Sequence, residues 1–234
     1  MRRSCGNMSD RSRSLYLGID VQTLRGCPYV VLDQSGEPVD SNWLDGSIRD
    51  VVRGLAGVVD RYRKTECSWL GVGIDAPREP LPSPRHWYWD GPRARWRPRR
   101  SSDTGNGRHC EVVIAAHRLA NPQWTPHRTP YPDWMRLGFD LFAAVARRAQ
   151  VFEVFPSASY SMLEDDSPVQ IGVRLNSFAP GPKDMLDAYV AAATVREFAQ
   201  GRGCDVGGGD GLGKIILPRP LLTPITEVLR WPTT

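Results

Sequence analysis

Two short apolar runs, LYLGID and GVGIDAP, each stop on an aspartate, Asp20 and Asp75. A third run, VFEVFP, holds Glu153 inside it, on the strand face shared with Val151 and Phe155. Asp187 stands in DMLDAYVAAA, with Asp184 three residues earlier on the same side of a helix. A carboxylate in a buried strand is costly unless it is paired, protonated or bound to a cation. Several together repel one another unless something compensates. Lys183 is the one evident basic neighbour within these motifs. A divalent cation answers all the positions at once, and hard oxygen ligands suit Mg²⁺ or Mn²⁺. Taken singly, the acids have plainer roles. Asp75 before Ala-Pro caps a turn, and Asp184 suits a helix N-terminus. Their joint placement favours one shared explanation.

The elements that must position these acids follow from period and punctuation. Residues 15–22, 27–33 and about 39–44 read as a meander of three antiparallel strands. DGSIRDVVRGLAGVVDRYRK switches to helical period, with Ser47 as N-cap. WLGVGIDAP (69–77) is apolar throughout, as a central strand covered on both faces should be. A helix is expected over about 133–149, a strand over 151–156, and a short helix after PSAS. Residues 167–181 read as loop. Pro182 and Gly201 suit the first and C′ positions of the last helix. KIILP closes the order as a final strand or extended segment. The fold class is α/β: a mixed five-stranded sheet, three antiparallel strands and then parallel ones, with helices on both faces. The domain spans 15–217, with an insertion at about 78–130, a disordered basic tail at 1–14 and a Pro-rich tail at 218–234.

The chain has 234 residues and a net charge of +4. No apolar run is long enough for a membrane helix, and no signal peptide follows the basic N-terminus. A cytoplasmic protein without a membrane partner is expected, with translation from Met1 or Met8. The five cysteines are scattered and form no zinc or disulfide pattern. Charge is uneven: from Arg78 to Arg108 eight arginines face only Glu79, Asp90 and Asp103. A local basic segment says more about partners than the net charge does.

The motifs GID, GIDAP, CE, EVFPSASY and DMLDAYVAAA, in that order, resemble the DUF429 family, predicted nucleases of the ribonuclease H-like fold. The helix signature is also similar to the D-x-x-D-A helix of RuvC-type resolvases. The resemblance covers about 15–217. It implies that the first and fourth strands lie side by side, which brings Asp20 and Asp75 together. It implies a metal-dependent nuclease with Asp20, Asp75, Glu153 and Asp187 as catalytic ligands and Asp184 as an outer one. Arg108 and Glu111 of the RHCE element, with Lys183, would line the site. Two Mg²⁺ or Mn²⁺ ions about 4 Å apart would clamp a phosphodiester. The insertion departs from the family core.

RHWYWDGPRARWRPRR interleaves arginines with aromatic rings. Arginines neutralise phosphates and rings stack on unpaired bases. Arg93, Arg95, Trp96, Arg97, Arg99 and Arg100 are therefore the expected nucleic-acid contacts. The other reading is a solvated basic loop whose tryptophans pack on their own domain or on a second copy. GGGDGLGK imitates a phosphate loop, but Ile215 replaces the needed Ser or Thr and a strand follows, so a glycine turn is expected. Two rival functions stay open. One is a non-catalytic nucleic-acid-binding or scaffold protein that keeps the fold. The other is an actin-like ATP-binding phosphotransferase, which needs two lobes where this chain has room for one.

Overall fold

A computed structural model describes residues 13–64, 67–163, 182–222 and 225–233. Most of the N-terminal basic tail and the loop expected at 167–181 lie outside these residues. Nine strands, five α-helices and one short 3-10 helix (Gly91–Arg93) form among the described residues. In chain order they are β1 (Arg13–Asp20), β2 (Cys27–Leu32), β3 (Pro38–Leu44), α1 (Ile48–Lys64), β4 (Cys67–Asp75), β5 (Trp87–Asp90), β6 (Arg95–Pro98) and α2 (His109–Ala116). Then come α3 (Asp133–Val145), β7 (Gln150–Glu153), α4 (Pro156–Leu163), α5 (Pro182–Ala199), β8 (Cys204–Gly207) and β9 (Lys214–Leu217).

The main sheet has seven strands in the order β3-β2-β1-β4-β7-β9-β8, two more than the sequence suggested. The meander β1-β2-β3 is antiparallel, whereas β1, β4, β7 and β9 run parallel. The additional edge is a hairpin, β8 against β9, joined by the glycine turn expected in GGGDGLGK (207–214). β1 begins at Arg13, so two residues of the expected tail already pair with the sheet. Ser47 caps α1 as predicted: its hydroxyl accepts from the Asp50 amide at 3.4 Å, and the Asp50 carboxylate accepts from the Ser47 amide at 3.1 Å.

The two faces of the sheet are filled differently. Leu17, Ile19, Val72 and Ile74, all fully buried, pack with α1 and α3. Burying each contributes about 1.5–3 kcal/mol. On the other face Tyr16 and Val30 meet α5 through Ala188, Ala191 and Ala192. Here the glycines of the GID motifs matter. A Cβ on Gly18 would stand 2.2 Å from the Ala188 carbonyl oxygen and from the Ala192 nitrogen, and one on Gly73 would stand 2.7 Å from a Val195 methyl. Small residues on both sides let the α5 backbone lie directly on β1 and β4. That contact fixes where the first turn of α5 sits relative to the strand ends.

A carboxylate cluster at the strand ends

Strand pleating decides which acids meet. Side chains alternate between faces, so Asp20 shares the face of Gly18 and Tyr16, and Asp75 that of Gly73. Both therefore face α5. Cross-strand register places Asp20 directly opposite Asp75 at the last pair of the parallel ladder. The first turns of α5 carry Asp184 and Asp187. Tyr160 of α4 donates to Asp187 Oδ1 at 2.7 Å, and Lys183 Nζ donates to Oδ2 at 2.6 Å. Arg25, from the loop after β1, stands 3.0 Å from Asp184 Oδ2. That buried oxygen accepts no hydrogen bond among the described residues. Asp20 Oδ2 accepts from Gln22 Nε2 at 3.2 Å.

Four aspartates thus face two cations, Arg25 and Lys183. The imbalance shows in the protonation of the pair. Burial pushes the Asp20 carboxyl up to about 7, with the charges of Asp187 and Asp184 adding to it and Lys183 and Arg25 opposing. Asp75 is pushed well above the carboxylate range, first by burial, then by Asp20 and Asp187. Both sit half-buried at the mouth of a cleft of about 370 Å³. Trp134, Glu153, Arg108 and Glu111 also line it.

Glu153 stands apart from the aspartates. Its partner across β4 and β7 is Ile74, one residue before Asp75. Neighbours in register share a face, so the pleat turns Glu153 away from α5. Its oxygens accept from Arg108 Nη1 at 2.7 Å, from Arg108 Nη2, and from the Arg78 amide at 3.2 Å. Burial raises its carboxyl while the Arg108 guanidinium pulls it back. Arg108 also binds Glu111 through Nε and Nη2, at 2.9 and 2.8 Å, and Thr125 donates to Glu111 from its amide and its hydroxyl. Arg108 is 1% exposed and the two glutamates about 4% as side chains. Glu153 is thus held in a buried Glu–Arg–Glu network rather than presented as a free ligand. Arg108 and Glu111 line the cleft. Lys183 lies inside the aspartate cluster.

The insertion is an ordered hairpin, β5 against β6, and the self-packed alternative describes its rings. Trp96 Nε1 donates to the Glu227 carbonyl at 2.9 Å, and its ring meets Trp89, His109 and Trp231 within 5.1–5.8 Å. It is therefore engaged in holding the C-terminal segment, not offered to a base. Arg97 makes two bonds to Asp103, at 2.6 and 2.8 Å, and Arg93 one to Asp90 at 2.9 Å. Arg95, Arg99 and Arg100 are exposed. The glycine turn between β8 and β9 caps α2: Asp210 accepts from the His109 amide at 2.7 Å, and Gly209 donates to His109 Nδ1 at 3.1 Å. It does not form a strand–loop–helix phosphate site.

Reading the residues alone misses Arg25, Gln22, Tyr160 and Thr125. Tyr160 sits in the SASY stretch already quoted, but only the packing of α4 on α5 brings its hydroxyl to Asp187. Among the described residues no group of three or more His, Cys, Asp or Glu side chains stands arranged to hold a metal ion. Nor does any described helix have the length and apolarity to cross a membrane. Compared with protein-family models, curated proteins and solved structures, the chain matches none.

Proposed function

We propose that the chain is a metal-dependent nuclease of the ribonuclease H-like fold, hydrolysing phosphodiester bonds with Mg²⁺ or Mn²⁺ at the aspartate cluster. The observation that carries this reading is the in-register pair Asp20–Asp75, facing Asp184 and Asp187 with an excess of negative charge. The strand order 3-2-1-4, antiparallel and then parallel, supports the fold assignment. The donor set suits a hard cation, and the buried Oδ2 of Asp184 accepts no hydrogen bond among the described residues, although Arg25 stands 3.0 Å from it as an ion-pair partner. Lys183, 75% exposed, occupies part of this space as a monovalent cation. Its flexible stem lets it swing to solvent at small cost.

Asp20, Asp75 and Asp187 would hold the ions, with Asp184 as the outer ligand. A bound divalent ion supplies charge to offset the phosphate and acidity to activate water. The chain does the rest. Arg25, 55% exposed at the cleft mouth, is placed to receive a phosphate oxygen. Trp134 and Phe155 give the cleft an apolar wall. The Glu153–Arg108–Glu111 network keeps the cleft floor rigid. Exposed Arg95, Arg99 and Arg100 add positive charge for nucleic acid beyond the cleft.

Two observations favour a second reading, a non-catalytic nucleic-acid-binding protein: Glu153 is held by Arg108, and Lys183 lies among the aspartates. Labelled DNA, RNA and hybrid substrates, single- and double-stranded, incubated with Mn²⁺ separate the two. Cleavage by the wild-type chain, reduced at least about a hundredfold in the Asp20→Asn, Asp75→Asn double variant, is the expected result. Salt-sensitive binding with no cleavage of any substrate supports the second reading instead.

A further inference from the structure

The insertion encloses a second, larger cleft of about 1060 Å³ that shares no lining residue with the aspartate site. Arg85 lines it. The guanidinium carbon lies 4.1 Å from the Tyr88 ring centre and 5.1 Å from that of Trp124. Nε and Nη1 are buried and have no hydrogen-bond partner among the described residues. A buried donor left unmade costs about 1–3 kcal/mol, so native chains seldom keep one unless a partner arrives from elsewhere. The nearby acids are already taken. Asp103 is doubly bonded to Arg97, and Glu111 is filled by Arg108 and Thr125.

The backbone around this cleft carries strain. Ala94 at φ 46° and Arg118 at φ 57° are the two non-glycine residues with positive φ among the described residues, and both line it. Arg118 follows the end of α2, where glycine is the usual choice. Strain of this kind clusters at ligand sites. Here it sets a second arginine at the rim. Gly107, at φ +97°, keeps room beside the guanidinium: a Cβ there would stand 3.0 Å from Arg85 Nη1 and 2.5 Å from the Trp124 ring. Trp124 is 37% exposed, a large ring offered to solvent.

We infer that this cleft binds a nucleoside phosphate, with the phosphate on Arg85 and Arg118 and the base against Trp124. A planar cation with unpaired donors suits a phosphate fork, and flanking rings suit a planar base. The volume lies just above the range of about 300–1,000 Å³ for ligand pockets, ample for a nucleotide. The ligand is either a free nucleotide or the phosphorylated end of a strand. This inference does not rest on the aspartate cluster.

Tryptophan fluorescence of the full chain in EDTA, titrated with AMP, inorganic phosphate and a short 5′-phosphorylated single-stranded oligonucleotide, tests it. AMP is expected to bind at least about tenfold tighter than phosphate. Arg85→Gln should weaken AMP by about tenfold or more, and Arg118→Gly, which suits the backbone there, by about threefold. If Arg85→Gln does not fold, Arg118→Gly decides. Tighter binding of the oligonucleotide than of AMP assigns the site to strand ends; equal or weaker binding assigns it to free nucleotides. No AMP binding, phosphate binding as tight as AMP, or wild-type affinity in the folded variants overturns the inference.

Discussion

Urea unfolding of the wild-type chain loses stability as pH rises from about 4 to about 7, and Asp20→Asn flattens that loss. The sign follows from linkage. The Asp20 carboxyl is raised from 3.8 to about 7 in the folded chain, so between these values the folded state binds the extra proton. Stability is therefore greatest at the acidic end and falls as pH climbs through the folded value. Asn carries no charge at any pH and removes the dependence. The size is about 2 kcal/mol, roughly half the full linkage value, because the carboxylate stands at a solvent-open cleft mouth. Asp75→Asn acts in the same direction, since Asp75 is raised by burial and by Asp20. The profile is read from urea midpoints at half-unit pH steps. A wild-type slope that survives unchanged in both variants contradicts the account of the cluster as crowded, uncompensated charge.

The largest single loss of stability is expected from Arg108→Met. Arg108 holds Glu111 and Glu153 together, and all three are almost fully buried. Removing the guanidinium leaves two carboxylates facing one another without a cation, at a cost of about 3–5 kcal/mol. For a chain of this size that lowers Tm by roughly 10 °C. Glu153→Gln is the informative comparison. It keeps an acceptor for Arg108 and leaves the Arg108–Glu111 pair intact, so it should cost only about 1–2 kcal/mol. Equal losses in the two variants would mean that the network owes its worth to packing rather than to charge. Denaturant midpoints measured at a fixed neutral pH give both numbers.

The aspartate cluster was legible because its logic is local to each strand and helix. Gly-Ile-Asp puts an aspartate on the same face as a glycine, and glycine on that face invites a closely packed helix. The Pro182 start, the Ala-rich body and the Asp184–Asp187 spacing of α5 were readable for the same reason. Glu153 was harder. Alternation within its own strand correctly groups it with Val151, but a strand's pattern does not reveal its register against a neighbour. One residue of slip, Ile74 rather than Asp75 as partner, puts Glu153 on the other face.

The insertion failed differently. Arginines interleaved with tryptophans have one composition whether they grip nucleic acid or one another. What decides the case for Trp96 is Glu227 and Trp231, more than a hundred residues away in the chain. KIILP, read as a final strand or extended segment, is β9; β8 escaped notice because it is only four residues long and ends among glycines. Arg85 gave no signal of its own in sequence, being one basic residue in a run of them.

In the proposed function Asp20 and Asp75 hold a divalent cation together with the acids of α5. Calorimetric titration of Mn²⁺ into the full chain at about pH 8, where the Asp20 proton is largely gone, tests it most directly. Saturable binding to the wild-type chain and none to the folded Asp20→Asn, Asp75→Asn double variant is the expected result. Absence of binding to the wild type, or equal binding by the two proteins, would contradict it.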